Sequence, residues 1–207
     1  MNIIDISWPL ECGMTTYKNR EDIQITPTKT WEQHAVRESC ITISSHVGTH
    51  VDAPAHFLAH GGFIESVSLS RLCGPCVVLD MTHVEGAITK EHLEQQSITI
   101  PRVLLKTRNS FLDSCAQFKT EFVYLAESGA QYLQEKGALC IGIDYLGIER
   151  QQPQHQTHTI LLKADIALIE GLRLHTIQAG FYILICLPLA CKGLEAAPAR
   201  AVLVSDF

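Results

Sequence analysis

The chain has 207 residues, of which 46% are hydrophobic and 18% charged, and its formal net charge is -6. This composition predicts a globular protein with a sizeable core and excludes a disordered chain. The acidic balance leaves no basic field for nucleic acid or anionic lipid, so we expect neither as a partner. We expect a single domain over residues 1–207.

The sequence shows no pattern of an export signal or a membrane span. Asp5 and Pro9 stand where a secretion signal would need a basic start and an apolar run. The longest apolar stretch, residues 180–190, is about half as long as a membrane-spanning helix and contains Pro188. The eight cysteines are scattered through a chain that is too large and too apolar to need a disulfide framework. These features predict a cytoplasmic protein with reduced thiols.

Several short segments have the patterns of strands. Residues 3–7 are rich in branched side chains and should open the fold as a strand that ends before Pro9. Alternating apolar and polar residues predict two half-buried strands around a loop, at 22–26 and 39–45. Compact apolar runs predict interior strands of one sheet at 76–80, 103–106 and 139–143, and a further buried strand at 180–190.

Two helices are predicted between these strands. The first covers residues 89–96 and begins with Thr89, a residue type that caps helices. The second covers residues 126–136 and precedes Gly137, which is typical of a helix C-terminus. Strands and helices in this order predict an α/β domain with a mixed sheet packed by helices.

The segment 46–56 concentrates three imidazoles and a carboxylate within eleven positions. Histidine nitrogens and carboxylate oxygens are the ligands of zinc and related divalent ions. His50 and Asp52 are two residues apart, so in an extended segment both side chains point to the same face. Gly48 permits a turn that returns His46 to the same ion. The segment therefore predicts a metal site.

His56 is expected close to that ion without having to bind it. Pro54 favours a short helix that carries His56 toward the site. The helical zinc-protease motif does not apply, because Val47 stands where that motif has glutamate. A loop merely lined by these polar residues is disfavoured, since buried imidazoles and carboxylates need partners.

A second candidate cluster consists of His155, His158 and Glu170. A short helix after Thr157, a turn at 163–165 and a strand at 166–169 would bring Glu170 back beside His158. Glu170 interrupts an apolar run, and a buried carboxylate requires either a charged partner or a metal. From the residues alone, a metal ligand and a structural ion pair are equally good interpretations.

The sequence Cys73-Gly-Pro-Cys76 has the spacing of a thioredoxin-like redox motif. That chemistry places the first cysteine at a helix N-terminus, where the helix dipole lowers its pKa. Here the apolar run that follows predicts a strand, with Gly74-Pro75 as a turn before it. We therefore expect structural rather than redox cysteines.

Four further residues are candidates for the surroundings of the site. We expect that His60 and His155 could line the mouth of a pocket, and that Trp31 and Phe57 could stack on an aromatic substrate. Aromatic residues serve more often as core, so neither aromatic residue is assigned a role.

Residues 46–56 resemble the hallmark of the cyclase family of metal hydrolases, His-x-Gly-Thr-His-x-Asp-Ala-Pro-x-His, at every position. This family includes the bacterial kynurenine formamidases. The likeness continues through segments at 5–7, 105–107, 142–144, 158–162, 170–172, 188–189 and 198–200. The loop Thr16-Tyr17-Lys18-Asn19 departs from it, because family members often carry Tyr-Pro-Gly-Asp there.

The resemblance implies a swivelling β/β/α fold, a homodimer or higher homo-oligomer, and a set of site residues. The implied metal ligands are His46, His50, Asp52, His158 and Glu170. The first three would bind one ion, and Asp52 would share a second ion with the last two. His56 would be the catalytic proton-transfer residue. Zinc is the expected metal, as one or two ions, with manganese as the second choice.

The implied function is hydrolysis of a small-molecule amide, with an aryl formamide such as N-formylkynurenine as the leading substrate. Metal-activated water would attack, and His56 would act as general base and acid. Two alternatives stay open. The same ligands could open a cyclic amide such as isatin, or a non-catalytic protein could store or sense the ion. His56 argues against mere binding, which needs no unliganded histidine beside the metal.

Overall fold

The computed structural model describes residues 1–205. Its strands are β1 (Asn2–Asp5), β2 (Ile23–Lys29), β3 (Glu38–Ile43), β4 (His50–Asp52), β5 (Cys73–Asp80), β6 (Ala87–Ile88), β7 (Arg102–Lys106), β8 (Tyr124–Leu125), β9 (Cys140–Ile143), β10 (Ala167–Glu170), β11 (Gly180–Pro188) and β12 (Ala196–Ser205). Its helices are α1 (Trp31–His34), α2 (Leu69–Leu72), α3 (Lys90–Glu94), α4 (Glu127–Glu135) and α5 (Gln156–Lys163). Short 3₁₀ turns lie at Tyr17–Asn19, Pro54–His56, Ile64–Ser66, Arg108–Phe111 and Pro153–His155.

Eight of these strands form one mixed sheet in the order β1-β12-β11-β5-β7-β9-β10-β4. Strands β5, β7, β9 and β10 run parallel, whereas β11, β12, β1 and β4 pair antiparallel with their neighbours. The start of β12 also pairs with β4 through Ala196–Pro198, so the sheet closes into a barrel. The predicted α/β fold with a mixed sheet and packed helices is confirmed.

The parallel strands are buried on both faces, which explains their near-continuous apolar sequences. In β5, Val77 and Leu79 join a core that includes Leu133 of α4. Their neighbours Cys76 and Val78 join a second core, shared by strands around the barrel. The interior strands predicted from apolar runs are therefore confirmed, and they give the functional site a rigid support.

The predicted turn at Gly74-Pro75 is wrong, because both residues lie within β5. Gly74 has φ of 134°, and a Cβ there would stand 3.0 Å from the Arg102 guanidinium. Pro75 is tolerated because β5 pairs with β7 only from Val77 onward. Burial raises the pKa of Cys76 to about 12, the opposite of what thiol redox chemistry needs.

Strands β2 and β3 form a separate two-stranded hairpin. Their register pairs Ile23 with Ile43 and Ile25 with Ile41, so the predicted alternation gives the hairpin one apolar face. The first pair packs on a core cluster that contains Trp8, whereas Ile25 and Ile41 are 37% and 58% exposed. The prediction of half-buried strands is wrong for the outer part of the hairpin, because no segment within residues 1–205 covers it.

Two other strand predictions need correction: the end of β1 and the burial of β11. Strand β1 ends at Asp5 instead of residue 7, because Asp5 Oδ1 accepts a hydrogen bond from the Ser7 backbone and forms a turn. Strand β11 is buried only at alternate positions: Leu184 is buried, whereas Phe181 is exposed. One face of this antiparallel strand meets solvent, so it is not the fully buried strand predicted from its apolar sequence.

The predicted helices are confirmed with shorter bounds. Thr89 caps α3 together with His92, which stands where a capping box usually has Glu or Gln: His92 Nδ1 accepts a hydrogen bond from the Thr89 backbone at 3.1 Å. Gly137 ends α4 with φ of 73°. The predicted helix, turn and returning strand around residues 157–169 are α5, a turn at Asp165 and β10.

None of the helices within residues 1–205 is long and apolar enough to cross a membrane. The cytoplasmic location expected from the sequence stays a prediction.

Asp144 anchors the loop that follows β9 and leads into the site. Its buried carboxylate accepts hydrogen bonds from the backbone and hydroxyl of Thr107, at 2.6 and 2.8 Å, and from the backbone and hydroxyl of Ser110, at 3.1 and 2.6 Å. Burial raises the pKa of Asp144 although these donors oppose the shift. The loop beyond it contacts the end of β10, because the Gly171 backbone donates to Tyr145 O at 2.7 Å.

Replacing Asp144 with Ala should lower the free energy of unfolding by about 2–5 kcal/mol, because four buried donors lose their acceptor. Urea denaturation measures this change. The exposed Asp80, which accepts hydrogen bonds from Thr82, provides the matched control, and Asp80→Ala should cost less than about 1 kcal/mol. Equal losses for the two variants would contradict the anchoring role of Asp144.

Candidate metal centre

The candidate centre lies where β4 meets the carboxyl end of β10. The register places His50 opposite Glu170 and Asp52 opposite Leu168. On its other edge, β4 pairs with β12, so His50 and Asp52 sit on a strand held from both sides. Because alternate residues of a strand share a face, both side chains point toward the same point in space.

The Gly-Thr pair between the first two histidines lets two backbone segments come unusually close. Gly48 has φ of 58°, and a Cβ on Gly171 would stand 2.2 Å from Gly48 O. Thr49 Oγ1 donates to Gly171 O at 2.6 Å and accepts from the Trp8 backbone at 2.7 Å. These contacts fix the approach of β4 to the residue after Glu170.

The five predicted ligand residues come together in one cluster. His50 Nε2 lies 3.6 Å from Asp52 Oδ1 and 3.5 Å from Glu170 Oε2. His158 Nε2 lies 3.6 Å from Asp52 Oδ2 and 3.3 Å from Glu170 Oε1. His46 Nδ1 lies 3.1 Å from Asp52 Oδ1. Each carboxylate therefore faces both His50 and His158.

Several buried polar atoms of this cluster have no hydrogen-bond partner of suitable geometry within residues 1–205. They include His50 Nε2 and both carboxylate oxygens of Asp52. His50 Nδ1 lies 2.9 Å from Gly48 O, and donation to that carbonyl would leave the Nε2 lone pair directed at the carboxylates. Buried polar atoms are normally paired, and this set of nitrogens and oxygens is the one divalent ions bind. The residues present therefore fit a divalent metal.

The charges of the cluster lead to the same conclusion. Burial favours neutral Asp52, but the neighbouring imidazoles of His158 and His46 hold the pKa of its carboxyl well below its usual value. Burial also disfavours charged His50, yet Glu170 and Asp52 raise its pKa to about 9. Two buried anions thus demand positive charge, which protons on the imidazoles or a divalent cation can supply.

Two groups of candidate ligand atoms in this cluster lie close together. Candidate ligand atoms of His46, Asp52 and His56 lie within 4.8 Å of one another, and so do those of His50, Asp52 and Glu170. Burial lowers the pKa of His56, so its neutral form prevails at neutral pH. A neutral imidazole can accept a proton or bind an ion, and the proton-transfer role of His56 stays a prediction.

Glu149 is a residue of the site that the sequence analysis missed. It is buried, its Oε2 lies 3.1 Å from His158 Nδ1, and the same oxygen accepts from the His158 backbone at 3.2 Å. Its other oxygen contacts His155 Nδ1. A carboxylate behind an imidazole fixes the ring and leaves the opposite nitrogen free for an ion. The sequence feature that could have identified Glu149 is an acidic residue at the end of an apolar run, as for Glu170.

Glu195 is a second missed residue and lies on the opposite side. Its Oε1 is 3.2 Å from His46 Nε2 and accepts a hydrogen bond from Ser45 Oγ at 2.6 Å. His46 therefore lies between Asp52 and Glu195. No pattern around residue 195 indicates this contact, which depends on the closure of the barrel by β12.

The cluster forms the floor of a cavity of about 350 Å³. Phe57 lies on its wall, with its ring centroid 4.2 Å from that of His158 and 4.6 Å from that of His155. The expected positions of Phe57 and His155 are therefore found, whereas Trp31 and His60 are not among the lining residues of the described chain.

Replacing Glu149 with Gln should weaken divalent-metal affinity by about 10- to 100-fold, because His158 loses the carboxylate that orients it. Titration of the metal-free protein with Zn²⁺ or Co²⁺ in a calorimeter measures the change without reference to any reaction. Glu135→Gln, on the exposed face of α4, is the matched control and should bind the ion like the unmodified chain. Unchanged affinity in the Glu149 variant would show that His158 needs no such support.

Comparison with known proteins places the chain among relatives of the same architecture. The Cyclase family model matches residues 4–150. Kynurenine formamidase of Bordetella pertussis is 33% identical over 198 residues, which cover 94% of this chain and 91% of that protein. Cyclase-like protein 3 of Oryza sativa is 37% identical over 172 residues, or 78% of this chain, which span only 63% of that protein.

Solved structures agree with this placement. A protein described as a potential metal-dependent hydrolase with cyclase activity superposes with a TM-score of 0.88 at 41% identity, covering 98% of this chain and 96% of its own. Isatin hydrolase A from Ralstonia solanacearum superposes with a TM-score of 0.84 at 19% identity, covering 99% of this chain and 92% of its own, and shares the fold. The chain belongs to the cyclase family.

Proposed function

We propose that the chain is a metal-dependent hydrolase of small amides and that an aryl formamide such as N-formylkynurenine is its leading substrate. The observation that carries the proposal is the pair of buried carboxylates, Asp52 and Glu170, among imidazoles at the floor of a cavity. We further propose the implied ligands as the residues that hold the ion: His46, His50, Asp52, His158 and Glu170. Zinc is the proposed metal, as one or two ions, with manganese second.

A bound divalent ion supplies an activated water nucleophile and polarises the substrate carbonyl. His56 would accept a proton from the attacking water and deliver it to the departing amine nitrogen. Its ring lies at the cluster, with its centroid 4.2 Å from that of His46. Phe57, next to it, would pack against the aromatic ring of the substrate and exclude water from that side.

We propose a formamide rather than a cyclic amide as substrate because the chain is more similar to a formamidase than to an isatin hydrolase. The formamidase of Bordetella pertussis is 33% identical to nearly the whole chain, whereas the isatin hydrolase from Ralstonia solanacearum is 19% identical and supports the fold alone. A cavity of about 350 Å³ lies in the range of small-molecule sites. Isatin hydrolysis and metal binding without turnover remain the alternatives that experiment must separate.

Two substitutions should distinguish the residue that transfers the proton from a residue that binds the metal. The zinc-loaded protein should release formate from N-formylkynurenine and lose this activity on chelation. His56→Ala should lower kcat by about 10²- to 10⁴-fold and retain its metal, because general acid–base catalysis contributes that much. Asp52→Asn should lose both metal and activity. Formate release and elemental analysis of the same samples measure the two properties.

Each contrary result has a separate meaning. Loss of metal together with activity in His56→Ala would show that His56 is a ligand and not a base. Failure of N-formylkynurenine hydrolysis with opening of isatin would reject the formamide and favour the cyclic amide. A loaded protein that hydrolyses neither would favour the non-catalytic alternative.

We also propose that the chain forms a homodimer or higher homo-oligomer through the exposed apolar face of the β2–β3 hairpin. A two-stranded hairpin is marginally stable by itself, and Ile25 and Ile41 lie on its uncovered outer part. A second copy of the chain would supply the missing cover.

Replacing Ile41 with Lys should shift the protein toward the monomer, because a charge would enter an apolar contact. Light scattering after size-exclusion chromatography measures the mass. Phe111→Lys, at another exposed apolar residue outside the hairpin, is the control and should leave the mass unchanged. A monomeric unmodified chain at all concentrations would refute the proposal.

A further inference from the structure

The loop that departs from the family pattern forms one wall of the candidate site. Tyr17, Lys18 and Arg20 line the same cavity as His56 and Glu170. The position of these side chains therefore bears directly on which molecules the cavity can accept.

Contacts with the body of the protein fix this loop. Asn19 Oδ1 accepts a hydrogen bond from the Phe118 backbone at 2.7 Å, and the Tyr17 ring packs edge-on against Phe118 with centroids 5.0 Å apart. Lys18 and Asn19 have φ of 55° and 57°, in the left-handed region that few residues adopt without support. These contacts hold the backbone of the loop beside the cavity, so Lys18 and Arg20 are both attached at its edge.

Two cations flank the Tyr17 ring at this wall. Lys18 Nζ lies 5.2 Å and Arg20 Cζ 5.7 Å from the ring centroid. Lys18 forms no ion pair with any residue between 1 and 205, and Arg20 pairs only with Asp22, at 3.3 Å. In a chain of net charge -6, this positive rim is not a consequence of a generally basic surface.

The acids of the cavity do not neutralise this rim. Glu149 is paired with His155 and His158. Glu170 faces His50 and His158 on the floor of the cavity. Both carboxylates have partners of their own, so neither neutralises the rim. Lys18 has no ion-pair partner among residues 1–205, and Arg20 keeps the guanidinium donors that do not face Asp22, so both can attract an anion from solution.

The cavity therefore has three chemically different kinds of lining, from its buried floor to its exposed rim. The floor carries the metal-fitting cluster, Phe57 and Leu146 provide apolar wall, and Lys18 and Arg20 give a positive rim. A ligand that matches all three has an amide at one end, an aromatic or apolar middle and an anionic group at the other end. A carboxylate is the group that ammonium and guanidinium donors bind with charge-assisted hydrogen bonds.

We infer that the site selects amides that carry a carboxylate, and that Lys18 and Arg20 bind this carboxylate while the amide lies at the metal-fitting cluster. This inference rests on the proposed function and names its substrate class. Lys18 and Arg20 are thus specificity-determining residues of the cavity.

The test uses para-substituted formanilides that differ only at the far end of the ring. The carboxylate 4-formamidobenzoate and the neutral amide 4-formamidobenzamide have the same size and the same scissile bond. Their kcat/KM values are compared for the zinc-loaded chain and for Lys18→Gln, Arg20→Gln and the charge-retaining Lys18→Arg. Lys90→Gln, at a partly exposed lysine of α3 outside the cavity, is the matched control.

The unmodified chain should prefer the carboxylate by on the order of tenfold, mainly through KM, as expected for charge-assisted hydrogen bonds. Each Gln variant should reduce this ratio, Lys18→Arg should keep it, and added salt should diminish it because the rim is exposed. Lys90→Gln should show the same ratio as the unmodified chain. An equal preference for both compounds, or a preference that neither Gln variant changes, would overturn the inference.

A binding measurement separates this inference from the proposed function. Calorimetry with 4-acetamidobenzoate and 4-acetamidobenzamide reports the same preference without turnover. Carboxylate-selective binding that depends on Lys18 and Arg20, in a chain that hydrolyses neither formanilide, would support the inference and reject the hydrolase. Hydrolysis of both formanilides with no preference in either measurement would support the hydrolase and reject the inference.

Discussion

Two carboxylates buried side by side, Asp52 and Glu170, are the constraint on which the rest of the site depends. Burying one anion is costly, and burying two together is more so unless positive charge accompanies them. The structure surrounds this pair with His50 and His158 at 3.3 to 3.6 Å. Around it, β4 is paired with both β10 and β12 in the closed barrel, which holds the two carboxylates beside each other. A divalent cation resolves this electrostatic problem, and the cavity above gives the ion access to a substrate.

Much of this arrangement could be predicted because its determinants are local in the sequence. The spacing of His50 and Asp52 sets a shared face on one short strand, and the turn at Asp165 returns β10 beside α5. Each of these features depends on few neighbouring residues. The interior strands were predictable for a related reason, since burial on both faces leaves a continuous apolar run.

The support of the cluster could not be predicted, because it depends on the path of a loop and on the closure of the barrel, which sequence patterns do not specify. Glu149 reaches His158 from a loop whose position depends on the Asp144 hydrogen bonds. Glu195 reaches His46 only because β12 closes the barrel. The hairpin shows a different limit: the alternation in β2 and β3 correctly indicates an apolar face, but a sequence pattern does not specify what covers that face.

The most direct test of the central claim is the effect of a divalent ion on stability. The thermal unfolding of chelated and zinc-loaded protein should be compared for the unmodified chain and for Asp52→Asn combined with Glu170→Gln. The account predicts that zinc raises the Tm of the unmodified chain, because an ion that binds the folded state stabilises it, and that the neutralised variant does not respond. The same response in both proteins, or no response in the unmodified chain, would contradict the claim that the buried carboxylates form a metal centre.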